Sequence, residues 1–466
     1  MAEDRAVGAG QRWVLVLASV GSFVVVLDLL AVATALTAIQ RDLNASMADL
    51  EWTVNAYTLS FAVLLMTSAS LGDRFGRRRL FAAGLGVFSL ASVACALAPS
   101  AGALIAARTI QGVGAAIVMP LALGLLNATF PPQRRGWALG VYGGVTGLAA
   151  LLGPVVGGVL TQTLGWEWIF WLNVPIGLMA IPLVLTRVKE SFGAGTAIDL
   201  PGLGLFSVAA VGLVWGLVRA EAAGWGSAEV VGALVGGAVF AVLFVLRQRR
   251  AAAPMLPVRL YRSRAFAAGN AVIFLLNGSL TGAIFFIAQY LQVALGHDPL
   301  ETGLRLLPWG LAPFLIAPHA GALADRLGER PLVVGGLALQ SLGLAWLALV
   351  SAGDPPYLAL VGPMALGGIG FALAIPAVTK AVVSTNAPGD IGKASGAFST
   401  TRQLGAAFGI AILAAAFSAT GTYASSSSFT DGFRPAMAVA AGLTLLGVAF
   451  GLMLPKATPA AGRGGR

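Results

Sequence analysis

Cysteine is almost absent: Cys95 is the only one in 466 residues and lies inside an apolar run, so an intramolecular disulfide is excluded. Histidine is nearly as scarce. His297 and His319 are the only two, no ligand spacing links them to each other or to Cys95, and no metal site is expected. Charged residues make up 10% of the chain, against about 25% in ordinary soluble domains, and no polar stretch is long enough to fold as a domain in water. There is no nucleophile–base pair and no phosphate-binding loop, so the chain is not expected to be an enzyme or to need a cofactor.

What fills the chain instead is apolar. Hydrophobic residues are 58% of it and the mean hydropathy is +0.86, more apolar surface than one aqueous core can hide. Fourteen apolar runs, from 13–39 to 436–454, each approach the roughly 20 residues that cross a bilayer as a helix, whereas barrel strands would alternate in segments of about ten. The expected fold is all-α, with fourteen spans. With the N-terminus inside, the cytoplasmic ends and loops collect 24 of the 29 Lys and Arg residues, leaving Arg41, Arg108, Arg219, Arg305 and Arg434. That bias predicts a multi-pass protein with both termini cytoplasmic, and the Arg-over-Lys, Ala/Gly-rich composition points to a bacterial cytoplasmic membrane. The net charge of +10 is then topological, and a nucleic-acid partner is not expected.

The stretch LGDRFGRRRL at 71–80 returns as LADRLGERPL at 323–332, an offset of 252 residues. Both follow the second span of a six-span set if a two-span insert occupies about 200–247. The expected division is a six-helix bundle over 12–186, a linker with two extra spans over 187–264, and a second six-helix bundle over 265–454, the bundles being parallel repeats.

Further stretches follow in order on successive spans: LDLLAVATAL (27–36), RTIQGVGAA (108–116), GPVVGG (153–158) and GWEWIFWLNVPIG (165–177). Together with the repeated charged turn, they resemble the major facilitator superfamily, and within it the fourteen-span drug:proton antiporter branch. The resemblance covers nearly the whole chain. It implies a proton-coupled antiporter, driven by the proton gradient, that exports lipophilic drugs or antibiotics, neutral or monocationic, by alternating access. An importer or facilitator of a small nutrient is the alternative. Protons, small lipophilic substrates and the bilayer are the expected partners, and the protein is expected to be a monomer.

Candidate site residues follow. Asp28 is the acid that can be placed inside a span, where a carboxylate costs about 2.5–3.5 kcal/mol, and it is expected to take a proton from one side and release it to the other. Arg108 lies at a depth within roughly 6 Å of it, near enough to share a cavity, and the resemblance also places proton coupling at this pair. In the opening turn, Gly72 permits close helix approach and Gly76 a tight turn, while Asp73, Arg74, Arg77 and Arg78 are expected to form a conformational latch, with Asp325 and Arg326 in the second copy. Gly153, Pro154, Gly157 and Gly158 carry the stretch that, by resemblance, marks antiporters. Asn270, Phe274, Asn277, Thr281 and Phe285 recur at helical spacing on the ninth span and suit either a substrate cavity or interhelical hydrogen bonding. Trp52, Asn55 and Tyr57 on the second span, and Gln111 on the fourth, are further cavity candidates. Where the branch usually has Thr, Asn and Pro after the first-span Asp, this chain has Leu30, Ala33 and Thr37.

If the charged turn is a latch and not only an orientation signal, Asp73→Asn impairs efflux from cells while membrane insertion and expression stay near normal. Normal efflux in cells carrying the variant defeats the latch.

Overall fold

The computed structural model describes residues 8–193, 199–252, 254–352, 355–383 and 391–455. The first part of the chain forms α1 (Ala9–Leu43), α2 (Met47–Phe75), α3 (Arg77–Ala96), α4 (Ala101–Thr129), α5 (Pro132–Thr163), α6 (Glu167–Trp171) and α7 (Asn173–Arg187). A helical pair follows, α8 (Leu200–Ala223) and α9 (Ala228–Arg250). The rest forms α10 (Arg264–Gln289), α11 (Pro299–Arg305), α12 (Leu307–Leu327), α13 (Glu329–Val350), α14 (Tyr357–Val383), α15 (Ile391–Ser418) and α16 (Ser426–Leu452). Thirteen spans among the described residues are long and apolar enough to cross a membrane. The remaining expected one is α12, which packs against α14 and α5.

Local chemistry sets the helix ends. Ser46 accepts a hydrogen bond from the Asp49 N–H, and Asp49 accepts one from the Ser46 N–H, a capping box that starts α2. Ser100, Ser227, Ser263 and Ser425 cap α4, α9, α10 and α16 with the side-chain oxygen alone. The expected sixth span is broken at Leu172 into α6 and α7, because Pro175 has no N–H to give the Trp171 carbonyl. Pro308 has the same effect between α11 and α12. Gly76 (φ +104°) joins α2 to α3, and Gly328 (φ +85°) joins α12 to α13, a left-handed conformation that glycine adopts without a Cβ penalty. The sequence repeat is thus also a repeat of backbone geometry.

Packing depends on small residues. α10 and α15 meet along Gly278, Gly282, Gly405 and Gly409. A Cβ on Gly278 would lie 2.7 Å from the Gly405 carbonyl oxygen, and one on Gly282 would lie 2.9 Å from that of Gly409. α8 packs on α9 and also touches α2 and α15, where Trp52 meets Trp215 with ring centroids 5.5 Å apart. The pair is fastened at one end by Asp199, whose carboxylate accepts from Gly202 N–H at 3.0 Å, Gln248 at 2.6 Å and Arg247 at 3.1 Å.

Call the end where α1 begins the basic face, and the other the far face. At the far face the first and last groups of helices are in direct contact. Gly158 of α5 lies against the Pro299 carbonyl, and Gly303 of α11 against that of Pro154; Gln162 donates to Asp298. Beyond α10 a π-turn, Tyr290–Ala294, turns Gln292 toward α1, where it donates to the Thr34 carbonyl at 2.9 Å and bonds the Thr37 hydroxyl. Such turns recur where a side chain must be re-aimed.

Two charges lie differently from expectation. α15 starts at Ile391, a turn ahead of its apolar run, so Arg402, counted above with the cytoplasmic ends, stands about 16 Å along the helix. α2 likewise starts at Met47, which takes Glu51 into the helix, where it is 1% exposed; Asp28 is not the sole buried acid on a spanning helix.

Because α10 and α15 meet backbone to backbone, Gly409→Val is expected to cost about 1–3 kcal/mol by overpacking and to lower the thermal unfolding midpoint in detergent. Gly442→Val, at a position with nothing within 4 Å, is the control and leaves the midpoint unchanged.

Candidate functional site

Asp28 lies on the face of α1 that turns into the first seven helices, and both it and Arg108 of α4 are 0% exposed. Arg108 Nη1 donates to Asp28 Oδ2 at 2.5 Å. The other carboxylate oxygen, Oδ1, accepts from Gln111 Nε2 at 2.9 Å and from Asn173 Nδ2 at 2.8 Å. Gln111 and Asn173 also donate to the Ser92 hydroxyl of α3, and Gln111 Oε1 accepts from Arg108 at 2.6 Å. Arg108 Nε donates to the Thr53 carbonyl of α2 at 3.1 Å. Its guanidinium lies 4.2 Å from the Tyr57 ring centroid, a cation–π contact that offsets the unpartnered Nη2.

Every neighbour of the Asp28 carboxyl in this network is a donor, so the cage is complementary to the ionised form. Removing solvent from two charges is costly, and their attraction compensates only if the remaining hydrogen-bonding positions are also filled; Gln111, Asn173 and Thr53 fill all but Arg108 Nη2, and the guanidinium lies over the Tyr57 ring. A proton arriving at Asp28 would cancel the attraction to Arg108 and leave a hydroxyl facing donors.

The same helix, α1, packs closely on α5 within the first group and meets the second group through Gln292. A Cβ on Gly153 would lie 2.8 Å from Leu30 Cβ, and one on Gly157 2.8 Å from Ala31 Cα. A turn further on, Thr34 and Thr37 meet Gln292. Asp28 and this junction sit on different faces of one rigid element.

In the charged turn, Asp73 accepts from Arg77 Nε at 2.8 Å. The Arg78 and Arg79 N–H groups donate to Glu190 at 2.8 and 3.3 Å, Arg77 N–H donates to the Ser191 carbonyl, and Gly193 N–H to that of Asp73. The segment after α7 thus clasps the turn and satisfies the first N–H groups of α3, where an anion is also favoured by the helix dipole. Gly72 lies against Leu121 of α4, too close for a Cβ. The guanidinium of Arg74 stacks over Phe75. Arg326 is exposed, and the side chain of Asp325 lies outside the described residues.

The cavity candidates separate. Gln111 and Tyr57 belong to the Asp28 cage. Trp52 faces α8. Asn55 is fully buried on α2 with neither amide atom hydrogen-bonded among the described residues. Asn277 donates to the Arg402 carbonyl and Phe274 packs at a tilt against Phe408, both partners on α15. Asn270 bonds its own helix at Phe266, Phe285 is core against Phe286, and Thr281 is partly buried. Asn173, Ser92 and Glu190 were not singled out from sequence. Asn173 stands inside the quoted sixth-span stretch as a lone amide in an apolar run, and Glu190 is a single acid among basic residues.

A polytopic helical bundle with paired halves and a caged intramembrane ion pair defines a membrane carrier. The chain belongs to the Major Facilitator Superfamily, whose sequence model matches residues 18–409 and 269–465. It is 38% identical over 408 residues to the tetracenomycin C resistance and export protein of Streptomyces glaucescens, covering 87% of this chain and 76% of that one. It is 35% identical over 396 residues to the methylenomycin A resistance protein of Streptomyces coelicolor, covering 84% and 83%. The fold is also that of the Escherichia coli xylose transporter XylE in a partially occluded inward-open conformation, with a TM-score of 0.64, 15% identity and coverage of 96% and 99%.

Glu190→Ala, which strips the acceptor from two N–H groups at the start of α3, is expected to cost about 1 kcal/mol. Glu190→Gln, which keeps an acceptor, is expected to cost less; thermal unfolding of the two variants side by side checks the order.

Proposed function

We propose that this protein exports lipophilic drugs or antibiotics across a bacterial cell membrane in exchange for protons, by alternating access of two six-helix units, 12–186 and 265–454, with the helical pair of 187–264 attached to their flank. The caged Asp28–Arg108 pair is the observation that carries the reading. A carrier that merely facilitated diffusion would have no use for a buried carboxylate whose charge state decides whether α1 stays tied to α4. The names of the relatives, which are resistance and export proteins, support the direction of transport and the substrate class.

The basic face is read as cytoplasmic, with both termini there. The contacts of Gly158, Gly303 and Gln292 then seal the outer side, and the conformation faces inward. Substrate enters from the cytoplasm while Asp28 is charged and bound to Arg108. A proton taken up from outside in the alternate state releases Arg108, loosens α1 from α4, and allows the α1–α5–α11 junction to reset. Asp73, Arg77 and the Glu190 segment set the energy of the cytoplasmic end in each state, and Gly153, Pro154, Gly157 and Gly158 let α5 slide against α1 and α11 with no side chains in the way. The unit is read as a monomer that needs no cofactor.

Proton release on adding tetracenomycin C or methylenomycin A to purified protein in weakly buffered detergent tests the coupling. Wild type is expected to release protons on binding; Asp28→Asn, kept only if it elutes as a single folded species, is expected to release none. Release of wild-type size from that variant removes Asp28 from the mechanism.

A further inference from the structure

Arg402 is a cation that the proton-coupling scheme does not use. It lies within the membrane-spanning part of α15, Lys393–Ser418. Its carbonyl is held by Asn277 of α10, but its side chain makes no hydrogen bond or ion pair among the described residues, and Nε is buried with no partner. At 100° per residue, Arg402 lies between the row that meets α10, Gly405 and Gly409, and the position that meets α2, Gly396 against Met66. Leu404 and Phe408, which pack toward α8, are on the opposite side. The guanidinium therefore leaves α15 toward the first six-helix unit, within electrostatic reach of Tyr142 of α5. The Tyr142 hydroxyl in turn donates to Ser22 of α1 at 2.9 Å. Ser22 is six residues, about 9 Å, from Asp28 along α1, toward the basic face, so this group is separate from the proton cage.

An intramembrane guanidinium is normally paired or marks a substrate path. Arg108 has its carboxylate, amide and carbonyl partners; Arg402 presents a planar fork of donors with no acceptor among the described residues. That fork matches a carboxylate or another delocalised oxyanion bidentately.

We propose that Arg402 anchors the acidic group of the transported compound, a lipophilic aromatic carboxylate or acidic phenol held between the two six-helix units, with the Tyr142 and Ser22 hydroxyls beside it. The inference rests on the export reading above and adds lipophilic acids to its substrate class. It also has an energetic consequence. A proton moving in and a monoanion moving out transfer charge in the same sense, so the membrane potential drives both legs of the exchange.

The test uses full-length protein in nanodiscs, with 1-pyrenebutyrate and its uncharged methyl ester as probes and binding read by fluorescence. Wild type is expected to bind the acid at least tenfold more tightly than the ester. Arg402→Gln brings that ratio to about one while ester affinity is unchanged, which a purely structural role for Arg402 would not do. If that variant does not elute as a single species, Arg402→Lys carries the test: losing the fork lowers acid affinity severalfold and leaves the ester alone. No acid preference in wild type, including binding of neither probe, overturns the proposal, as does a preference that survives Arg402→Gln, or acid affinity unchanged in Arg402→Lys. Export of the ester from proteoliposomes under an imposed pH gradient is followed in parallel. Its failure counts against the export reading and leaves the binding ratio to judge Arg402.

Discussion

The attraction between Asp28 and Arg108 in a place without water is the constraint on which the rest of the molecule depends. Neither charge could stay there alone, since an uncompensated buried ion costs several kcal/mol. Each neighbour is fixed by that need. Gln111 gives its amide to the carboxylate and its oxygen to the guanidinium, Asn173 completes the second carboxylate oxygen, Ser92 orients both amides, and Tyr57 lends its ring face to the cation. Helices α1, α2, α3, α4 and α7 all contribute, so the state of one carboxyl is felt by most of the first unit.

Glycine does the complementary work. A carrier has to hold helices tightly without interlocking them, and rows of glycine give close backbone contact over surfaces without ridges. The α5–α1 and α5–α11 contacts at Gly153, Gly157, Gly158 and Gly303, and the α10–α15 contact at Gly278, Gly282, Gly405 and Gly409, are of this kind. Of these, only the α5–α11 contact at Gly158 and Gly303 lies between the helix groups; the α5–α1 and α10–α15 contacts lie within one group each. α1 carries Asp28 on one face and meets α5 and Gln292 on others, so one helix touches both the ion pair and the junction.

The charged turn shows how one short segment serves two ends. Its arginines mark the basic face, and its backbone N–H groups form the start of α3. Glu190 meets the second requirement from a segment more than a hundred residues away, while Asp73 and Arg77 close the turn on itself. Asp199, Arg247 and Gln248 fasten the α8–α9 pair in a comparable way, so the connections around the spans are fixed by a few acids, each with several donors.

The number and order of spans, the repeat at 71–80 and 323–332, the turn glycines and the deep placement of Asp28 were legible in sequence, because each is a local property: run length, spacing, or a residue type unsuited to lipid. Meeting of Asp28 and Arg108 could be anticipated only as similar depth. That Gln111 and Tyr57 belong to that pair, that Trp52 faces α8, that Asn277 and Phe274 turn to α15, and that Glu190 closes the opening turn were decided by tertiary structure. Glu51 was misplaced because α2 begins a turn outside its apolar run, and Arg402 because its charge was counted with the cytoplasmic end of the run that contains it. The physical reason is the same throughout: hydropathy and periodicity determine how deep a residue lies and on which face of its own helix, but the rotation of that helix against its neighbours is settled by packing among many helices at once.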